Sequence, residues 1–145
     1  MTGIAIRRDI GGLVNQQAAI DAQTVTAGGD SDNVFLEGTA IDKSAHRNPL
    51  SVSLAVPVGV ELGAEETATV TARLQHRASA EDAWEDFVTE DPVTLTESGT
   101  VVLDAEIAGA KRYIRGQVRV DFSASSADTA AVAGVATLEA GQETV

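Results

Sequence analysis

The chain has 145 residues, a formal net charge of -12, no cysteine and 3% aromatic residues. That length is most simply one domain, with a core of Val, Ile, Leu and Ala that needs no disulfide or metal staple. The acidic balance disfavours a nucleic-acid partner, whose phosphates are held by clustered Lys and Arg, and no apolar run reaches the ~18 residues of a membrane span.

Residues 1–33 are the least regular part and are expected to form an N-terminal arm and loop. Ile4 and Ile6 alternate with Ala5 and Arg7, as in a short strand or an extended arm, and Arg8 follows. The order charged-then-apolar of a signal peptide is missing, which predicts a chain made and used in a cytoplasm or released by lysis. Gly11-Gly12 interrupts any continuing element. Leu13, Gln17 and Ile20 then have helical spacing, and residues 28–33 (Gly-Gly-Asp-Ser-Asp-Asn) read as a turn or loop.

From Val34 to Val145 the pattern is that of one β domain. Residues 50–58 alternate Leu50, Val52, Leu54, Val56 and Val58 against Ser51, Ser53, Ala55 and Pro57. Pro57 lacks an amide donor and suits a strand edge or end. Residues 67–76 alternate Ala68, Val70, Ala72 and Leu74 against Thr67, Thr69, Thr71, Arg73 and Gln75. Ser79-Ala-Glu-Asp resembles a helix capping box, while residues 83–89 also fit a strand; the position between two strong strands favours the strand. Residues 93–96 and 100–107 flank Ser98-Gly99 in the manner of a hairpin. Residues 111–122 alternate strictly, with Ile114, Gly116, Val118, Val120 and Phe122 on one parity and Tyr113, Arg115, Gln117, Arg119 and Asp121 on the other. Residues 130–138 close the series with Val132, Gly134, Ala136 and Leu138 on one parity. Short strands with turn residues between them predict an all-β chain: an antiparallel β-sandwich or barrel, jelly-roll-like, with an irregular N-terminal arm.

Charge is unevenly distributed. Residues 61–106 carry 12 acidic and 2 basic side chains, whereas residues 107–122 carry 4 basic and 1 acidic. The arginines of the second segment have two expected uses, cross-strand pairing with the acidic segment and contact with a protein partner. Tyr113, Arg115 and Arg119 are the candidate contact residues there, and Ile4, Ile6, Arg7 and Arg8 those of the arm. Other chemistry finds no constellation. His46 and His76 read as loop and strand-end residues, and no Gly-x-Ser-x-Gly elbow is present. The adjacent acids Glu65/Glu66, Glu81/Asp82, Glu85/Asp86 and Glu90/Asp91 read as solvated runs. Residues 30–33 lack the Gly and Glu positions of a calcium loop. Neither catalytic residues, cofactor nor metal are expected, and the chain reads as a non-enzyme.

Three stretches carry a resemblance. They are residues 54–74, with a Val-Pro strand and an Ala-Thr-Val-Thr-Ala-Arg-Leu-Gln-His strand; Asp82-Ala-Trp-Glu-Asp-Phe; and Ala108-Gly-Ala-Lys-Arg-Tyr-Ile-Arg. In these the chain resembles the capsid decoration (cement) proteins of tailed bacteriophages. The resemblance implies a virion structural protein on the capsid exterior, binding the major capsid protein and itself, often as a homotrimer, with no catalytic residues, no nucleic acid and no membrane. A tail-tube, neck or baseplate component is the alternative from the same kind of particle. The Arg-Tyr-Ile-Arg pattern also resembles strands of discoidin-like carbohydrate-binding sandwiches, where Trp84 or Tyr113 would meet the glycan.

Overall fold

The computed structural model describes residues 14–124 and 127–139. Nine antiparallel strands are present among them: β1 (Val14–Thr26), β2 (Ile41–Asp42), β3 (Ser51–Glu61), β4 (Ala68–Arg77), β5 (Glu85–Thr89), β6 (Val93–Leu95), β7 (Gly99–Glu106), β8 (Tyr113–Phe122) and β9 (Thr129–Glu139). Sheet I has the order β1-β9-β3-β7, and sheet II runs β2-β8-β4-β5 with β6 also beside β4. Because β5 and β6 occupy successive stretches of the same β4 edge, they act as one broken strand. The wiring is then that of an eight-position, two-sheet jelly roll. A 3-10 turn, Lys43–His46, follows β2.

The alternation seen in the sequence decides which side chains enter the core. Val52, Leu54, Val56 and Val58 of β3 face Ala68, Val70, Ala72 and Leu74 of β4 and Ile114, Val118 and Val120 of β8 across one continuous buried cluster. Apolar area removed from water, at about 25 cal/mol per Å², holds the two sheets together. A glycine sets their closest approach: a Cβ on Gly116 would lie 2.8 Å from Leu54 Cδ2 of the opposite sheet, while within sheet I one on Gly134 would lie 2.9 Å from Cβ of its β1 partner Ile20.

Three local expectations change. The helical spacing of Gln17 and Ile20 belongs to strand β1, whose pairing with β9 shifts register between Ala18 and Ile20 and again between Ile20 and Gln23. Bulges break the period of two, so neighbouring Ala19 and Ile20 are both buried and the strand imitates a helix. Pro57 lies in a central strand; the β3–β9 pairing passes from Ala55↔Val135 to Val58↔Val132, which removes the ladder where the donor is missing. Ser98-Gly99 is a crossing between sheets, not a hairpin, since β6 pairs with β4 and β7 with β3. The strand favoured for residues 83–89 is present as β5, directly after Trp84. Ile4, Ile6, Arg7 and Arg8 lie outside the described residues.

Candidate protein-binding face

The outer face of sheet II is built by the register of β4 on β8. Arg73 stands opposite Gln117, Gln75 opposite Arg115, Thr71 opposite Arg119 and Arg77 opposite Tyr113. No guanidinium faces another directly, which avoids the cost of like charges across a strand pair. The opposing pairs bond to each other. Arg73 Nε donates to Gln117 Oε1 at 2.7 Å. Arg115 donates to Gln75 Oε1 from Nε at 2.9 Å and from Nη2 at 2.7 Å. Gln75 Nε2 in turn donates to Asp86 Oδ1 at 2.8 Å, and Arg73 Nη1 lies 3.4 Å from the same oxygen. Thr71, Gln75 and Gln117 are buried although they point away from the core.

Two aromatic rings cover this network. Phe35 arrives on a segment laid along β8 by Asn33 N–H to Val120 O and Leu36 N–H to Val118 O, each 2.8 Å. The guanidinium carbons of Arg73 and Arg119 lie 3.6 and 4.6 Å from its ring centre. Trp84, just before β5, meets Arg77 at 4.2 Å and Arg115 at 4.6 Å. Such stacking is worth about 0.5–2 kcal/mol according to desolvation. The result is a row of guanidiniums and rings running from Arg119 to Arg77. Burial lowers the Arg115 pKa, Glu37 opposes that shift, and the like charges of Arg77 and Arg73 add to it. Arg77 Nε is buried without a hydrogen-bond partner among the described residues.

Ion pairs lie at the margin of the row. Arg112 forks onto Asp42 through Nε at 3.0 Å and Nη2 at 2.9 Å, holding that carboxyl well below the usual carboxylate range. Lys111 Nζ is 2.9 Å from Glu85 Oε1. Among the described residues, pairing of residues 107–122 with residues 61–106 is thus made by Lys111, while the Arg73–Asp86 contact is internal to the acidic segment. Among the described residues, Arg115 and Arg119 form no salt bridge.

Of the residues singled out in the sequence, Tyr113, Arg115 and Arg119 share this outward face. Tyr113 lies at its end, with Arg112 5.0 Å from the ring centre. Phe35, Arg73, Gln75, Arg77 and Gln117 were not singled out as contact residues. Their signal was the shared outward parity of Arg73 and Gln75 with Arg115 and Gln117; nothing local marked Phe35. The histidines are engaged elsewhere. His76 Nδ1 accepts from Lys111 N–H at 3.0 Å, and burial first and Lys111 second lower its pKa. His46 Nδ1 is 3.0 Å from Asn15 Nδ2. Among the described residues no group of three His, Cys, Asp or Glu side chains is placed to hold a metal ion.

No protein-family model and no curated sequence matches the chain. Among solved structures it is similar to the CBM22-1–GH10 modules of Clostridium thermocellum xylanase 10B complexed with xylohexaose, at 14% identity over 92% of this chain and 27% of that one, TM-score 0.46. It is similar to the VP2 subviral particle of infectious bursal disease virus, at 12% identity over 88% of this chain and 32% of that one, TM-score 0.47. A third is the C-terminal family 22 carbohydrate-binding module of the same xylanase, at 16% identity over 90% and 88% of the two chains, TM-score 0.42. The chain therefore spans about a third or less of the first two. Viral capsid proteins and carbohydrate-binding modules are both among its distant likenesses, and at these identities the likeness concerns fold alone.

Proposed function

We propose that this chain is a virion structural protein that decorates the capsid of a tailed phage, holding the major capsid protein through the outer face of sheet II. The observation that supports this reading is the pre-ordered arginine–aromatic row on a chain of net charge -12. Arg and Trp are enriched where proteins grip each other. Here their rotamers are already held by Gln75, Gln117, Phe35 and Trp84, so less side-chain entropy is lost on binding. Arg115 and Arg119 present charge to a carboxylate-bearing surface, and the overall acidity works against nucleic acid. Tyr113 extends the contact. Ile4, Ile6, Arg7 and Arg8 supply a second tether to the shell or to a neighbouring copy, and repeated attachment converts modest contacts into long residence.

Immunogold microscopy of virions from cells producing the chain tests the location. Label over the whole head is expected; label confined to the neck or tail supports the tail-component alternative, and bare particles overturn the proposal. Co-sedimentation with emptied heads tests the face: the Arg115→Gln/Arg119→Gln variant is expected to bind about tenfold more weakly, the scale of a modest interface hot spot. Unchanged binding would remove sheet II from the contact.

A further inference from the structure

We infer that the edge of β7, left open among the described residues, is a self-association surface, and that two copies of this chain join through it as an antiparallel, two-fold pair. This inference does not rest on the capsid reading. An open sheet edge exposes unpaired N–H and C=O groups, and folded proteins ordinarily blunt such edges with bulges, shortness, Pro or Lys. Among the described residues the other edges carry these devices. β1 has two register shifts. β2 has two residues, and the segment before it bonds along β8. β5 has five residues and a register shift, and β6 has three. β7 is the exception. It keeps unbroken register with β3 from Ser51↔Glu106 to Val58↔Gly99, it is terminal in sheet I, and its eight residues contain no Pro, Lys or Arg, their only charges being Asp104 and Glu106 towards its C-terminal end.

The edge is complementary to itself. Val101 and Leu103 are buried, whereas Thr100, Val102, Asp104 and Glu106 are exposed. Pairing must therefore oppose like faces. Centred on Val102, an antiparallel pair sets Val102 against Val102 of the second copy, Val101 against its Leu103, Thr100 against its Asp104, and Ser98 against its Glu106. No acid meets an acid. Centred instead on Leu103, the pair sets Val102 against Asp104 and is less favourable. Val102 is 48% and Val135 41% exposed, and both are in register with Ala55. The dyad thus extends the apolar row Val135–Ala55–Val102 into the second copy's row. Isologous contacts of this kind close after two copies. The threefold that the resemblance implies would need β7 to meet a different edge.

Sedimentation equilibrium of the whole chain is expected to give twice its 15.0 kDa. Two single substitutions at exposed positions should act in opposite directions. Val102→Lys places ammonium against ammonium at the dyad and should weaken the dimer about tenfold, whereas Thr100→Lys faces the second copy's Asp104 twice and should tighten it several-fold. A monomer at all concentrations overturns the inference. So does a trimer, or a dimer that neither substitution alters. Because one variant is expected to gain association, a general loss of folding cannot imitate the result.

Discussion

Replacing Gly116 by Ala tests the packing that supports the proposed binding face without touching that face. The new Cβ would stand 2.8 Å from Leu54 Cδ2 and 3.1 Å from Cδ1, and Leu54 is fully buried. Leu54 cannot swing into solvent, so β8 or β3 must shift. Overpacking of this kind costs about 1–3 kcal/mol. Against it, Ala in an extended strand restricts the unfolded chain and returns about 0.4–1 kcal/mol. The net loss is then roughly 1–2 kcal/mol, a fall in Tm of about 3–6 °C for a chain of this size. Leu54→Val removes the reach that causes the clash and by itself costs about 1 kcal/mol. Urea denaturation of the two single variants and the double variant gives the coupling, which should favour the double variant by at least about 0.5 kcal/mol. Arg115 and Gln117 flank Gly116, so a displaced β8 should also alter Trp84 fluorescence in Gly116→Ala alone. Strictly additive losses, or a Gly116→Ala variant as stable as the parent, would refute the claim that this glycine sets the sheet separation.

Two further predictions concern buried and coupled charges. Lys43 is buried and its Nζ donates to Ile107 O and Ala110 O, both at 2.7 Å, tying the turn after β7 to the turn after β2. Lys43→Met keeps the stem but removes the donors, and should lower the unfolding free energy by about 1–3 kcal/mol, seen as a lower urea midpoint at an unchanged m-value; an unaltered midpoint would show that the tie contributes nothing. Stability should also fall in two steps on acidification. His76 has its folded-state pKa lowered from 6.5, first by burial and then by Lys111, so its contribution is complete above pH 6.5 and is lost as pH falls through the lowered value. Asp42 is lowered from 3.8, chiefly by its Arg112 hydrogen bond, so its contribution persists to about pH 3.8 and is lost below it. Tm against pH should show both, with His76→Gln removing the upper step and Asp42→Asn the lower; a single step left intact by both variants would contradict the assignment.

The sandwich was legible wherever one face of a strand meets the core and the other meets solvent. Residues 114, 116, 118, 120 and 122 alternate in the sequence and are all buried, because a single register satisfies the whole strand. The reading failed where geometry departs from that period. β1 contains two bulges, so its buried residues no longer alternate. Pro57 interrupts a central ladder locally, and no rule about its neighbours foretells that β9 will tolerate the gap. Strand pairing across sheets is equally hidden. β6 and β7 are separated by a few turn residues yet belong to different sheets, a choice made by the global wiring. Half of the proposed binding face was legible for the same reason as the core, since parity marks Arg115 and Arg119. Phe35 was not, because the backbone hydrogen bonds that bring it to the face, from Asn33 to Val120 and from Leu36 to Val118, join residues 82–87 positions apart along the chain.

The charge contrast along the sequence acquires a different meaning in three dimensions. Residues 61–106 are strongly acidic and residues 107–122 basic, which on composition alone suggests mutual neutralisation. Only part of the basic set is used so. Lys111 meets Glu85, Arg112 meets Asp42 from outside the acidic segment, and Arg115 is held by an uncharged amide oxygen and Arg119 by a phenyl ring. Neither device cancels the charge. A glutamine oxygen and an aromatic face orient a guanidinium while leaving its formal charge uncompensated. Cross-strand carboxylates would have served folding equally well, at the cost of neutralising the row. At Arg115 and Arg119 the sheet II face therefore uses its outward positions for orientation rather than pairing, which is the arrangement the proposed contact with an outside carboxylate requires.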